Sequence, residues 1–141
     1  MKKALIFCTL LFAFAFSSLG LAGQNFIGLH KDVIREKVRN DLTGFVFTKE
    51  IENGDRSFIK FENTFEEQTL LFVLNAQGIC TSVSRMYNTW LFNRIKSDLD
   101  SRLEPAGELR WIEKYEGKDF EVFLRKGEWF ITVATLPLNN K

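Results

Sequence analysis

Four glycine-bearing turn signals, Asn53-Gly54, Gln77-Gly78, Glu116-Gly117 and Lys126-Gly127, divide much of this chain into short apolar runs that read as strands. Phe45–Glu52 alternates, with Phe45, Phe47 and Ile51 on one face. Asn53-Gly54 predicts a type I′ hairpin, whose two central residues both need positive φ. Arg56–Glu62 is the return strand. Gln68–Leu74 is apolar on both faces, which predicts a central strand. Ile79–Val83 reads as a short fourth strand. Glu108–Tyr115, Asp119–Arg125 and Glu128–Thr135 form a closing meander.

Two helices interrupt the strands. His30-Lys31-Asp32 opens the first, with Val33, Ile34, Val38 and Leu42 as its apolar stripe and Gly44 as its stop. The second is predicted to start from a cap at Ser82 or Ser84. Tyr87, Leu91, Ile95, Leu99 and Leu103 then recur every four residues, Met86 and Trp90 widen the stripe, and Pro105 ends it. Antiparallel runs separated by helices predict an α+β fold: helix–antiparallel strands–helix–antiparallel strands, with two helices packed on one face of an antiparallel sheet. The hairpins in FVFTKEIENGDRSFIKF and LRWIEKYEGKDFEVFL share an acidic-Gly turn, which suggests a pseudo-repeat of residues 28–83 and 84–136.

The N-terminus carries an address. A basic Met1-Lys2-Lys3, an apolar Ala4–Phe16 and a small, neutral Ser17–Gly23 have the order of a secretory signal peptide, here residues 1–22. The apolar run is shorter than the roughly 20 residues of a spanning helix. Residues 23–141 are then expected to form one exported domain, periplasmic or secreted, without a membrane span. Cys80 would be its one cysteine, so no internal disulfide is expected. A lone cysteine reads best as a small buried hydrophobe.

Charge and chemistry exclude several functions. Losing Lys2 and Lys3 from 19 basic residues leaves 17 against 18 acidic ones, scattered without a basic stripe. That pattern gives no footprint for nucleic acid. His30 is the only histidine, so any Ser-His or Cys-His site must use it, and Cys80 is its one conceivable nucleophile. One His and one mature Cys make no zinc cluster, and no Gly-rich phosphate loop is present. The carboxylate pairs Glu50-Glu52, Glu66-Glu67 and Glu113-Glu116 sit beside basic residues and read as solvated faces. No catalytic constellation emerges and no cofactor or metal is expected.

Aromatic residues are the unusual feature. Phe58, Phe123 and Phe130 each lie beside apolar neighbours on the other face of their strands. Helices on one face would leave such residues over. They could line a binding patch, or be covered by a second copy.

Ile27-Gly28-Leu29-His30-Lys31-Asp32-Val33, followed by the doubled helix-and-meander layout, resembles the β-lactamase-inhibitor-like fold of small exported bacterial domains. The small lipoprotein of the outer-membrane barrel-assembly machine shares that fold. This chain lacks the lipoprotein's acylated cysteine and the inhibitors' disulfides. The resemblance implies a protein-binding domain without catalysis.

The expectation is therefore a non-enzymatic module that binds a protein partner through a sheet face, with Trp111, Trp129, Phe123 and Tyr115 as binding residues. A carrier of an apolar small molecule, with Trp90, Tyr87 and Phe72 facing a cavity, is the alternative. A hydrolase is the third reading, and a homodimer is compatible with the first.

Overall fold

The computed structural model describes residues 26–139. The expected signal peptide, residues 1–22, lies outside these residues, as do Asn140 and Lys141. Helix α1 (Lys31–Asp41) leads into β1 (Val46–Asn53), β2 (Arg56–Asn63), β3 (Gln68–Leu74) and β4 (Cys80–Asn88). A 3₁₀ turn (Thr89–Leu91) opens α2 (Phe92–Arg102), and β5 (Glu104–Gly107), β6 (Arg110–Tyr115), β7 (Lys118–Lys126) and β8 (Phe130–Pro137) follow. The fold is α+β: eight antiparallel strands in one sheet, in the order β1-β2-β3-β4-β8-β7-β6-β5, with two helices.

A helix followed by a four-stranded meander occurs twice, and the two meanders join where β4 pairs β8. Side chains of paired residues share a face. One such row runs Ile59, Phe72, Val83, Thr135, Val122, Trp111 across six strands. All six are buried. Ile34 and Val38 of α1 close the first half of this face over Ile59, Phe61, Leu70 and Phe72. Ile95 and Leu99 of α2 close the second half over Trp111, Val122, Leu124 and Ile131. Both helices thus lie on one face. Each fully buried Leu, Ile or Phe contributes roughly 1.5–3 kcal/mol, so these two cores dominate stability.

The local chemistry of α1 follows its sequence closely. His30 Nδ1 accepts a hydrogen bond from the Asp32 backbone N–H at 3.2 Å and so caps the helix. Ile34, Val38 and Leu42 point into the core, while Val33 lies exposed, one position off the stripe. Lys31 and Arg35 both donate to Glu50 of β1, at 2.9 and 2.7 Å, and tie the helix flank to the sheet edge.

Other expectations need correction. Residues 84–88 continue β4 and do not begin α2; Val83, Arg85 and Tyr87 alternate onto the helix-covered face while both neighbours hydrogen-bond the strand. Tyr87 still reaches the second core, but from a strand. The second unit consequently begins after Asn88. The expected stop holds: α2 ends at Arg102 with Leu103 as its C-cap, two residues before Pro105, which sits in an edge strand where a missing N–H is tolerated. The first hairpin turns on Gly54-Asp55, with Asn53 paired to Arg56 and positive φ at Gly54 alone. That fits a II′ turn, with glycine first, better than the expected I′. Glu116-Gly117, with φ of 49° and 75°, does take positive φ at both positions.

Candidate binding surface

The second face of the sheet carries neither helix. One row on it runs Lys49, Lys60, Leu71, Ser84, Ala134, Phe123, Arg110. On one side lie Ile51, Phe58, Val73 and Ser82; on the other, Glu62, Thr69, Met86, Thr132 and Arg125. Ser82, Ser84, Thr132 and Ala134 make a floor of small side chains along the two central strands. Leu71 on β3 and Phe123 on β7 stand as walls three strand spacings apart, about 14 Å. Met86 lies toward one end of the floor and Leu136, in register with Glu121 and Ile112, toward the other.

Charge lies on the flanks of this trough, and an ion pair forms on each. Lys60 donates to Glu62 at 2.6 Å on the β2 side, which holds the Glu62 carboxyl below its ordinary range. Arg110 pairs with Glu121 on the β6–β7 side and stacks over Phe123 at 5.8 Å. The centre thus combines small, mostly hydroxyl side chains with half-buried Leu71 and Phe123, and an ion pair stands on each flank.

The four sequence-predicted binding residues do not assemble. Phe123 lies on the open face. Trp129 stands in the β7–β8 turn, 78% exposed. Tyr115 is at the opposite end of β6. Trp111 is corrected outright: it is 2% exposed beneath α2, and its Nε1 donates to Asp100 Oδ1 at 3.0 Å. Lys96 and then this indole hold the Asp100 carboxyl low. Trp111 faces the core because residue 111 has the parity of Val122 and Thr135. Leu71, Ser84, Met86 and Ala134, which form the trough, were missed as site residues; the two-sided apolarity of Gln68–Leu74 was the available signal.

The residues expected to line a ligand cavity are dispersed as well. Phe72 is sealed in the first core, Tyr87 is buried in the second and Trp90 is 75% exposed. A depression of about 300 Å³ lies elsewhere, lined by Gly117, Lys118, Asp119, Phe120, Pro137 and Leu138.

His30 and Cys80 come from segments that lie side by side, since Cys80 N–H donates to Leu29 O and His30 bridges Ile79. Their side chains have different surroundings. The His30 ring lies against Gly78, partly exposed. Cys80 is buried in the first core; its Sγ donates to Ser82 O at 3.4 Å, and burial pushes the thiol up to about 12. Such a thiol supplies almost no thiolate at neutral pH. Glu50 is held low by Lys31, and Glu66 and Glu67 occupy the β2–β3 turn. Among the described residues no three His, Cys, Asp or Glu side chains converge as a metal site, and no helix is long and apolar enough to cross a membrane. No protein-family model, curated protein or solved structure matches this chain.

Proposed function

We propose that this chain is a non-enzymatic, exported binding module, periplasmic or secreted, that docks a protein partner on the open face of its sheet. The observation that carries the reading is the trough along β4 and β8: small residues at the floor, Phe58, Leu71, Val73 and Phe123 as walls, paired charges on both flanks, and both helices on the other side. Contiguous apolar surface left in water marks interaction sites. The resemblance to the β-lactamase-inhibitor-like fold points the same way, although a fold alone assigns no function. The chemistry of His30 and Cys80 fits capping and packing better than nucleophilic catalysis.

The test is site-specific photo-crosslinking in the producing cell, with the photoreactive residue at Ser84 or Ala134. A discrete adduct heavier than the chain, lost when Leu71→Arg or Phe123→Asp is added, is the expected result. The same residue placed at exposed Asn40 on α1 is the control. An adduct of twice the chain mass would replace the partner by a second copy. Absence of any adduct specific to the open face would overturn the reading.

A further inference from the structure

The sheet has a second unusual surface, distinct from its open face. Three connections meet at one end: the β2–β3 turn, the exit from β4 and the β7–β8 turn. Each presents a large aromatic residue to solvent. Phe65 is 97% exposed, Trp90 75% and Trp129 78%, and half-exposed Phe130 stands beside Trp129. In the strand order the two turns are three spacings apart with β4 between them, so the three residues line about 14 Å of edge.

These tips are held in place. Buried Asn63 accepts the Glu66 N–H at 3.0 Å and shapes the turn that carries Phe65. Asn88 Nδ2 donates to Glu67 Oε2 at 2.8 Å, which ties that turn to the strand end two residues before Trp90. Asn88 also pairs with Phe130, the neighbour of Trp129. Gly127 N–H donates to Phe130 O at 2.9 Å and closes the last turn. After Trp90, Leu91 and Phe92 pack on the second core and fix the backbone that turns Trp90 outward. One network, Glu67–Asn88–Phe130, thus supports all three aromatics.

We propose that this end of the sheet is an anchor for a lipid surface of little net charge, with Phe65, Trp90 and Trp129 entering the headgroup layer together. Convex tips in a row can all touch one plane at once, whereas a protein partner would need three matching pockets. Tryptophan favours the membrane–water interface, where its ring is apolar and its N–H meets water. Within four residues of the tips in sequence lie Glu62, Glu66, Glu67 and Glu128 against Arg94, Arg125 and Lys126, nearly balanced. That mixture suits a zwitterionic headgroup layer and offers an anionic one no basic patch. The proposal is independent of the partner-binding trough.

The experiment uses phosphatidylcholine vesicles with and without brominated acyl chains, and reads tryptophan fluorescence. Wild type and variants carry the same N-terminus, and quenching reports on the indoles alone. Expected are a blue shift and bromine quenching of Trp90 and Trp129, with Trp111 untouched in the core. Trp90→Ser and Trp129→Ser should each remove part of the quenched signal. Phe65→Ser, Trp90→Ser and Trp129→Ser combined should lower partitioning by at least about tenfold. Circular dichroism and the Trp111 emission report whether that variant folds. The single variants Trp90→Phe and Trp129→Phe, which keep the ring, should retain most binding. Unquenched indoles in the wild type would overturn the proposal, as would binding confined to phosphatidylglycerol and abolished by salt.

Discussion

Glu113 shows how a single residue records where the helix cover ends. It pairs with Phe120 on the helix-covered face, half-buried, and burial pushes its carboxyl up while Arg102 opposes the shift. A carboxyl whose folded pKa is raised binds its proton more tightly in the folded chain. Its contribution to stability is complete below the ordinary carboxylate range and is lost as pH rises through the raised value. Glu113→Gln removes that loss. The variant should melt a few degrees above wild type at pH 7, a domain of this size gaining roughly 4 °C per kcal/mol, and level with it near pH 3. Thermal melts at both pH values decide it, since an equal offset at each would assign the effect to packing. The same residue explains why Trp111 was misread. Along β6, Trp111 shares its face with Glu113 and Tyr115, so that face reads as wet. Only the position of α2, over Trp111 and short of exposed Tyr115, makes one strand face dry at one end.

At the scale of elements, the sequence was most legible where the signals are local. The strand Gln68–Leu74 and the cap and stripe of α1 follow from residue type and period alone. The second helix failed at its start because Tyr87 satisfies a period of four from Leu91 and a period of two from Val83, and pairing with β8, some fifty residues away, decides between them. The short β5 was hidden for a similar reason: Pro105 signals a helix stop, and only β6 makes its neighbours a strand. Glycines were read as turns, but two of them carry different loads. Gly44, at φ +93°, stands where a Cβ would come 2.8 Å from Asn63 Nδ2, the buried side chain that shapes the β2–β3 turn. Gly117, at φ +75°, faces open space. Gly117→Ala should therefore cost only the conformational penalty, about 1–2 kcal/mol, and Gly44→Ala more than that. Urea denaturation of the two variants provides the comparison, and equal losses would mean that Asn63 yields freely.

The described residues form one sheet over which two helices lie separately, and β4 is the element that belongs to both halves. Its Cys80 and Val83 pack in the first core and its Tyr87 in the second, while the strand pairs β3 on one edge and β8 on the other. Neither half can release β4 without exposing apolar surface in the other. The outer strands are poor templates for growth: β5 is short and contains Pro105, and β1 carries a bulge between Phe47 and Lys49 and the charges of Lys49, Glu50 and Glu52. Stability is therefore shared internally across the β4–β8 junction. Leu99→Ala, at a fully buried position of α2, should cost about 2–5 kcal/mol. Because β4 couples the cores, the loss should appear as weaker amide exchange protection in β2 and β3 as well as in β6 to β8. Hydrogen exchange followed residue by residue tests this. Protection in β2 and β3 that stays at the wild-type level would show two units folding independently, with β4 as a seam between them.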